Sequence, residues 1–383
     1  MSVKQRGKGD SPEVAEVLKF QHEKIDMPKC LFRYHTKSNE TAIIEKMIAD
    51  YVGAKYCIAV NSCSSAMFIA LMTQNNLKGM RVGFPVFTFT AVPSAIQHAG
   101  GIPVPVNCTD EYYIDTEDLE RVIEDKQLNY LMLSYMRGHF PEVDRVMEIC
   151  DAHGVVVIED CAHALGVKYR GRFLGTFGAI GCYSSQSAKI INSGEGGFIV
   201  TDDEDTAAKA IMMAGSYEGL WENHIARPDD KTMIKHQNYQ PCYGLRMHNL
   251  TASLLIRQLK DLEETILHVN ENYANLCQML HMYDRFITIP GFPDNSRPVF
   301  DTMQFRLNSM DVDKFFKKTG IEYFAMPDNA RAYWNWGYLG MTKGLFPNID
   351  KLLANSMDLR LPARYNEGDI VKIFDKIGEA IDG

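Results

Sequence analysis

Short apolar runs and amphipathic stretches alternate along the first two thirds of this chain. The apolar runs are bounded by polar turns, which predicts seven buried strands. These are residues 57–60, 81–84, 101–106, 130–134, 155–160, 180–184 and 196–200. Helical patterns lie between several of them, for example at 91–99 and 143–154. Strands that alternate with helices favour right-handed crossovers, so we predict an α/β fold with a mainly parallel sheet covered on both faces.

The pattern changes after about residue 245. Apolar residues recur there at helical spacing, which predicts one long amphipathic helix. They are Leu255, Leu259, Leu262 and Ile266. Strand patterns follow at 285–290, 302–307 and 321–326, with helical patterns at 310–320 and 368–381. We therefore predict an N-terminal arm over 1–40, a large domain over 41–260 and a smaller C-terminal α+β domain over 261–383.

Composition and charge narrow the possible partners. The 383 residues carry a net charge of −9, which disfavours a nucleic-acid partner. Nine cysteines are scattered without the paired spacing of a metal site, so reduced thiols are expected and a bound metal is not. No apolar run is long enough to cross a membrane, and the first residues lack the apolar segment of a signal peptide. We expect a cytoplasmic protein that acts on small molecules, without a membrane partner.

Candidate chemistry concentrates between residues 158 and 200. Asp160 ends a strongly apolar strand, where α/β sheets present their ligand-binding groups. A carboxylate buried there needs a cationic partner, which a protonated pyridine nitrogen would supply. Lys189 follows in a polar loop, and a desolvated lysine has a pKa low enough to form a Schiff base. Ser184 offers a hydroxyl to a phosphate. A solvated loop lysine and a turn-capping aspartate are the plain alternatives.

Three segments of this region match one known pattern in order. They are 159–166 (EDCAHALG), 171–184, and Lys189 followed by NSGEGG at 192–197. Together they resemble the DegT/DnrJ/StrS-type aminotransferases, a branch of the fold-type I enzymes that use pyridoxal 5′-phosphate (PLP). The resemblance extends over about residues 40 to 380. It implies the fold-type I architecture, PLP bound to Lys189, and Asp160 at the pyridine nitrogen.

Residues 61–71 (NSCSSAMFIAL) are similar to the turn with which this family grips the cofactor phosphate. The similarity places Ser64 and Ser65 at the phosphate, at the start of a helix whose free N–H groups favour an anion. Cys63 stands where the family usually has glycine.

Two further positions complete the cofactor site that the resemblance implies. Residues 84–96 (FPVFTFTAVPSAI) place Phe89 on the face of the pyridine ring, with core packing as the alternative. His163 occupies the family's Gln-or-His position, where it either bonds the phenolic oxygen of the ring or packs over it.

The segment 243–259 is similar to a family motif that opens with an asparagine. In the family, that asparagine reaches the phosphate in the neighbouring subunit of a dimer, so the resemblance implies a homodimer. Here the position is Gly244, so either another residue, such as Asn238 or His248, makes this contact, or the contact is absent.

The resemblance also implies the reaction. An amino group would pass from glutamate or glutamine to a ketone or aldehyde of a sugar, a cyclitol or a related polyol, in polysaccharide or secondary-metabolite biosynthesis. The nearest branch is that of 3-amino-5-hydroxybenzoate synthase and the cyclitol and keto-sugar aminotransferases. The aromatic residues Tyr333, Trp334 and Trp336 either line an acceptor pocket or pack in a core.

Two alternatives to this reaction stay open. One is a PLP-dependent dehydratase or cyclising enzyme, against which Lys189 argues because dehydrating relatives carry histidine at that position. The other is a non-catalytic regulator that retains the fold.

Overall fold

The computed structural model describes residues 39–74, 77–308, 312–320, 324–325 and 331–382, so nearly all of the predicted N-terminal arm lies outside the described residues. The strands β1 to β14 are, in chain order, Tyr56–Val60, Arg81–Pro85, Ile102–Val106, Tyr130–Ser134, Val156–Cys161, Lys168–Tyr169, Arg172–Phe173, Ile180–Ser184, Gly197–Thr201, Ile287–Thr288, Ser296–Arg297, Thr302–Leu307, Phe324–Ala325 and Ser356–Arg360. The helices α1 to α12 are Glu40–Val52, Cys63–Met72, Ala91–His98, Thr116–Lys126, Val143–Ala152, Glu204–Ala214, Asp230–His236, Asn249–Lys260, Leu262–Leu280, Val312–Thr319, Pro347–Asn355 and Glu367–Asp382.

Seven strands form the main sheet, in the order β1-β9-β8-β5-β4-β2-β3. The neighbours from β3 to β8 pair in parallel, whereas β9 is antiparallel to both β8 and β1. All strands except β9 therefore run in one direction, and their carboxyl ends meet at one edge of the sheet. This confirms the predicted α/β fold and its mainly parallel sheet.

Both faces of the main sheet are covered, as the continuous apolar strands predict. Adjacent residues of β5 enter different cores because side chains alternate along a strand. Ile158 packs in a core with α2, α3 and α6, and Val157 packs in a second core with α1, α5 and α8. Burying such a side chain stabilises the fold by about 1.5–3 kcal/mol, so the two helical layers hold β5 rigidly from both sides.

A second, antiparallel sheet follows in the order β10-β12-β14-β13. Its inner face shares a separate hydrophobic core with the second half of α9 and with α12. Strand β14 is absent from the strands predicted above, because its two apolar residues, Met357 and Leu359, alternate with polar ones and form no continuous apolar run. A third, small sheet joins β11 to β6 and β7.

The prediction of one long helix near residue 260 is wrong. Helix α8 ends at Lys260 and α9 begins at Leu262, with Asp261 between them as the cap of both. Aspartate weakens a helix interior because its side chain competes for backbone hydrogen bonds. The domain boundaries at residues 40 and 260 stay predictions. Within the described ranges, no helix has the combined length and apolar character of a membrane span.

Candidate active site

The carboxyl edge of the main sheet brings most of the predicted site residues together. Asp160 of β5 lies in register with Ser134 of β4. His163 follows directly after β5, and Lys189 lies in the loop between β8 and β9. Asp160, His163 and Lys189 line one cavity of about 1380 Å³.

Hydrogen bonds fix the carboxylate of Asp160. The Ser134 hydroxyl donates to Asp160 Oδ2 at 2.7 Å, and the Ala162 N–H donates to Oδ1 at 3.1 Å. The Cys63 sulfur lies 3.9 Å from Oδ1. Burial raises the pKa of Asp160, and the hydrogen bonds with Ser134 and Ala162 oppose that shift. The carboxylate is thus oriented by neutral donors only.

The side chains of Lys189 and His163 contact each other on the wall of the cavity. Lys189 Nζ lies 2.8 Å from His163 Nε2 and 3.3 Å from Nδ1. Burial lowers the pKa of Lys189 from 10.5 to about 8, Asp301 opposes this, and Arg360 adds to it. Burial and the charge of Lys189 also lower the pKa of His163 well below 6.5. At neutral pH the imidazole is therefore uncharged, and the amine is close to its titration range.

Two side chains from elsewhere in the chain hold the loop that carries Lys189. Gln258 of α8 accepts a hydrogen bond from the Asn192 N–H at 2.9 Å and donates to the Asn192 carbonyl at 2.6 Å. Arg360 of β14 donates through Nη2 to the Ala188 carbonyl at 2.7 Å. The loop is therefore tied to α8 on one side of Lys189 and to the second sheet on the other.

The predicted phosphate-binding serines divide into two groups. Ser64 and Ser184 line the cavity. Ser65 is not among the lining residues of the described chain, and its hydroxyl donates to Asn61 Oδ1 at 2.7 Å. The Ser62 side chain caps α2 by accepting from the Ser65 N–H. The first N–H groups of α2 lack intrahelical partners, so the helix start can bind an anion beside Ser64.

The predicted aromatic residues also differ in their placement. Phe89 is 47% exposed and lines the cavity, which rules out the alternative of core packing. Tyr333 and Trp336 are buried in the hydrophobic core that also contains Phe84, and neither lines the cavity. For these two residues, core packing is therefore the correct interpretation.

A comparison of sequences identifies the family. The profile of the DegT/DnrJ/EryC1/StrS aminotransferase family matches residues 33–377. The chain belongs to this family. Its members are PLP-dependent aminotransferases, which confirms the predicted enzyme class and cofactor.

Relatives of this aminotransferase are distant but cover most of its length. The spore coat polysaccharide biosynthesis protein SpsC of Bacillus subtilis is 25% identical over 91% of both chains. GDP-perosamine synthase of Caulobacter vibrioides is 32% identical over 57% of this chain and 56% of its own. The structure of 3-amino-5-hydroxybenzoic acid synthase superposes with a TM-score of 0.77, at 22% identity, covering 100% of this chain and 98% of that one. This likeness confirms the fold-type I architecture.

Several charged residues of the aminotransferase cavity were not predicted, including three arginines and an aspartate. Arg137 follows β4, Asp301 precedes β12, Arg331 lies near Tyr333, and Arg360 ends β14. Each is a single charge at the end of an element, without a motif around it. They come together through contacts between distant elements, namely the pairing of β14 with β12 and the ion pairs of Arg137 and Arg331 with Asp358, which no local pattern shows.

The candidates for the cross-subunit contact lie at the surface. Gly244 is exposed and has a left-handed backbone, with φ of 65°. Asn238 is exposed as well. His248 is exposed and caps α8, with Nδ1 accepting from the Leu250 N–H at 3.1 Å. Whether Asn238 or His248 makes the contact, or the contact is absent, is not decided by their positions in the chain.

Proposed function

We propose that this aminotransferase moves an amino group from glutamate or glutamine to the carbonyl carbon of a sugar, a cyclitol or a related polyol. The observation that carries the proposal is the 2.8 Å contact between Lys189 Nζ and His163 Nε2, beside the buried carboxylate of Asp160. An amine that titrates near neutrality and a carboxylate without a cation are the groups that PLP chemistry requires.

The residues around the cavity fit PLP. Within the described residues Asp160 forms no ion pair, so a protonated pyridine nitrogen would supply the cation that this buried carboxylate lacks. Ser64, Ser184 and the start of α2 would hold the phosphate, while Phe89 and His163 would contact the ring. When bound, PLP supplies an electron-withdrawing ring that takes up the electron pair released at the donor's α-carbon.

The protein's own groups handle the protons. With its pKa near 8, the Lys189 amine is unprotonated in a useful fraction of molecules at neutral pH. It can therefore take a proton from a substrate carbon and return it to another atom. His163 stays uncharged because burial lowers its pKa, so it accepts a hydrogen bond from the amine without competing for positive charge. Asp160 keeps the ring nitrogen protonated.

The names of the relatives and the size of the cavity support the acceptor class. Those names refer to a spore coat polysaccharide and to GDP-perosamine. The cavity of about 1380 Å³ exceeds the roughly 300–1,000 Å³ of a typical small-molecule pocket. It therefore has room for PLP together with a second molecule of the size of a sugar.

The visible absorption of the PLP-loaded protein tests the proposal. We expect L-glutamate or L-glutamine to bleach the visible band of the wild type, and a keto-sugar or keto-cyclitol to restore it. Lys189→Ala should not bleach, whereas Lys351→Ala, an exposed lysine on α11, should behave as the wild type. A loaded wild type that ignores both donors would contradict the aminotransferase reaction. Restoration by plain 2-oxo acids alone, across a panel of ketones, would contradict the acceptor class.

We further propose that the protein works as a homodimer in the cytoplasm, as the family resemblance implies. Tyr239 supports an interface, since this large aromatic side chain is 80% exposed and directly follows the candidate contact residue Asn238. Sedimentation of the PLP-loaded protein is expected to give twice the mass of the chain. A monomer with full activity would contradict this state.

A further inference from the structure

An unusual turn follows β4 on the wall of the cavity. Arg137 has φ of 56° and ψ of 23°, and Gly138 follows with φ of 78°. A non-glycine residue in the left-handed region is strained, and such strain is concentrated at functional sites. A Cβ at Gly138 would lie 3.3 Å from the His163 carbonyl, so the turn also packs tightly against the segment that carries His163.

The turn directs Arg137 into a buried group of charges. Its side chain is 5% exposed, and Nη2 forms an ion pair with Asp358 Oδ2. Arg331 Nη1 lies 2.6 Å from the same oxygen. Within the described residues, Arg137 Nε is buried without a hydrogen-bond partner. A buried donor without a partner is costly, which points to a ligand that completes it.

The same charges face the reactive lysine. Arg137, Arg331 and Arg360 all line the cavity that contains Lys189. Arg360 Nη2 lies 3.6 Å from Asp301 Oδ2. In this group three guanidinium groups face the two carboxylates of Asp358 and Asp301, so the cavity wall carries a surplus of positive charge. Guanidinium groups bind carboxylates through paired, directional hydrogen bonds.

A purely structural ion pair between β4 and β14 explains less. It accounts for the contact of Arg137 with Asp358, but not for the strained backbone or for the unpartnered Nε of Arg137. It also leaves unexplained why Arg137 and Arg331, the two partners of Asp358, both line the cavity that contains the reactive lysine.

We propose that Arg137, with Arg360 on the same cavity wall, binds the carboxylate of the amino donor, and that Asp358 and Arg331 hold Arg137 in position. This inference rests on the proposed transfer from an amino acid, since that reaction supplies a substrate carboxylate. The ligand chemistry is an organic carboxylate. We assign it to the donor because Arg360 contacts the loop of Lys189, where the donor must react.

Glutarate, which has the two carboxylates of glutamate without the amine, is the probe. The test variant is Arg137→Gln combined with Asp358→Asn, which leaves no stranded buried carboxylate and conserves the net charge. Calorimetry on the PLP-loaded proteins should show glutarate binding weakened about 10- to 100-fold, the loss expected for a charged hydrogen-bonded contact. The rate at which low L-glutamate bleaches the visible band should fall by a similar factor. Arg145→Gln, an exposed arginine of α5, is the control and should change neither value.

The possible outcomes separate this inference from the proposed function. Unchanged glutarate binding in the double variant would overturn the inference, and so would a defect confined to the step with a carbonyl acceptor. Suppose instead that glutarate binding depends on Arg137 but that the wild type reacts with neither glutamate nor glutamine. This result would support the carboxylate site and contradict the proposed function. Should the double variant fail to load PLP, Arg137→Lys keeps the charge but loses the forked geometry. It is expected to weaken glutarate binding about 3- to 10-fold, and an unchanged affinity would overturn the inference.

Discussion

The buried amine of Lys189 should make the PLP-free protein less stable. Burial lowers the pKa of Lys189 from 10.5 to about 8. This shift means that the folded protein disfavours the charged amine relative to the unfolded chain, by up to about 3 kcal/mol. Replacing Lys189 with methionine keeps much of the side-chain volume and removes the charge. We therefore expect Lys189→Met to raise the free energy of unfolding of the PLP-free protein at pH 7.

The sign of the pH dependence follows from proton linkage. Below pH 8 the amine is protonated in both states, so the full cost of burying its charge falls on the wild type. Between pH 8 and 10.5 the unfolded chain binds more protons than the folded one, so the stability of the wild type rises with pH. The advantage of Lys189→Met should thus fall to roughly 1 kcal/mol at pH 9.5 and vanish above pH 10.5.

Urea unfolding of the two PLP-free proteins, at equal concentration and at pH 7 and 9.5, measures this difference. Lys351→Met, at an exposed position of α11, is the matched control and should change the free energy of unfolding by less than about 0.5 kcal/mol. The reasoning would be refuted by a Lys189→Met protein that is no more stable than the wild type at pH 7. An advantage that stays the same at both pH values would refute it equally, because the charge would then not be the cause.

Three further substitutions test the support around the site. Ser134→Ala removes the donor to Asp160 Oδ2 and should weaken PLP binding by about 10-fold. Titration of the PLP-free protein with the cofactor measures this affinity, and an unchanged affinity would show that the donor is dispensable. Gly181→Ala places a Cβ 2.2 Å from the Gly175 carbonyl oxygen, so the free energy of unfolding should fall by about 3 kcal/mol or more. Thermal unfolding measures this loss, and a melting temperature equal to that of the wild type would contradict the close packing. Gln258→Ala removes both hydrogen bonds to the Asn192 backbone and should lower the free energy of unfolding by about 1–3 kcal/mol. An unchanged free energy in urea unfolding would show that Gln258 does not stabilise the loop.

The main sheet and the acid–base groups were predictable because their signals are local. Asp160 ends an apolar run, and the carboxyl ends of parallel strands meet at one edge whatever the length of the connections. Lys189 comes close to Asp160 for the same reason, since its loop follows β8, which pairs with β5. Periodicity and strand direction place these residues at one edge of the sheet, whereas their roles at a cofactor were predicted from the family resemblance.

The second sheet was harder to predict because its strands depend on distant pairing. Strand β14 exists because Met357 and Leu359 pack in the third core, while Asp358 is neutralised by arginines from other elements. Its five residues alternate between polar and apolar, but they contain only two apolar side chains, which is too short a pattern to identify a strand by itself. A local pattern likewise cannot distinguish one long helix from two that meet at Asp261, because the apolar spacing continues across the break.

Burial is the physical link between the stability and the chemistry of this site. An amine beside carboxylates is ordinarily held in its charged form, yet desolvation outweighs Asp301 and Asp160 at Lys189. The same desolvation keeps His163 uncharged, so the neighbour of the amine offers a lone pair without competing for the proton. A more exposed amine would keep its ordinary pKa of 10.5 and be almost fully protonated at neutral pH, so the base would be lost. The helical layers on both faces of β5 therefore support the reaction indirectly, because they bury and fix the strand whose carboxyl end carries Asp160.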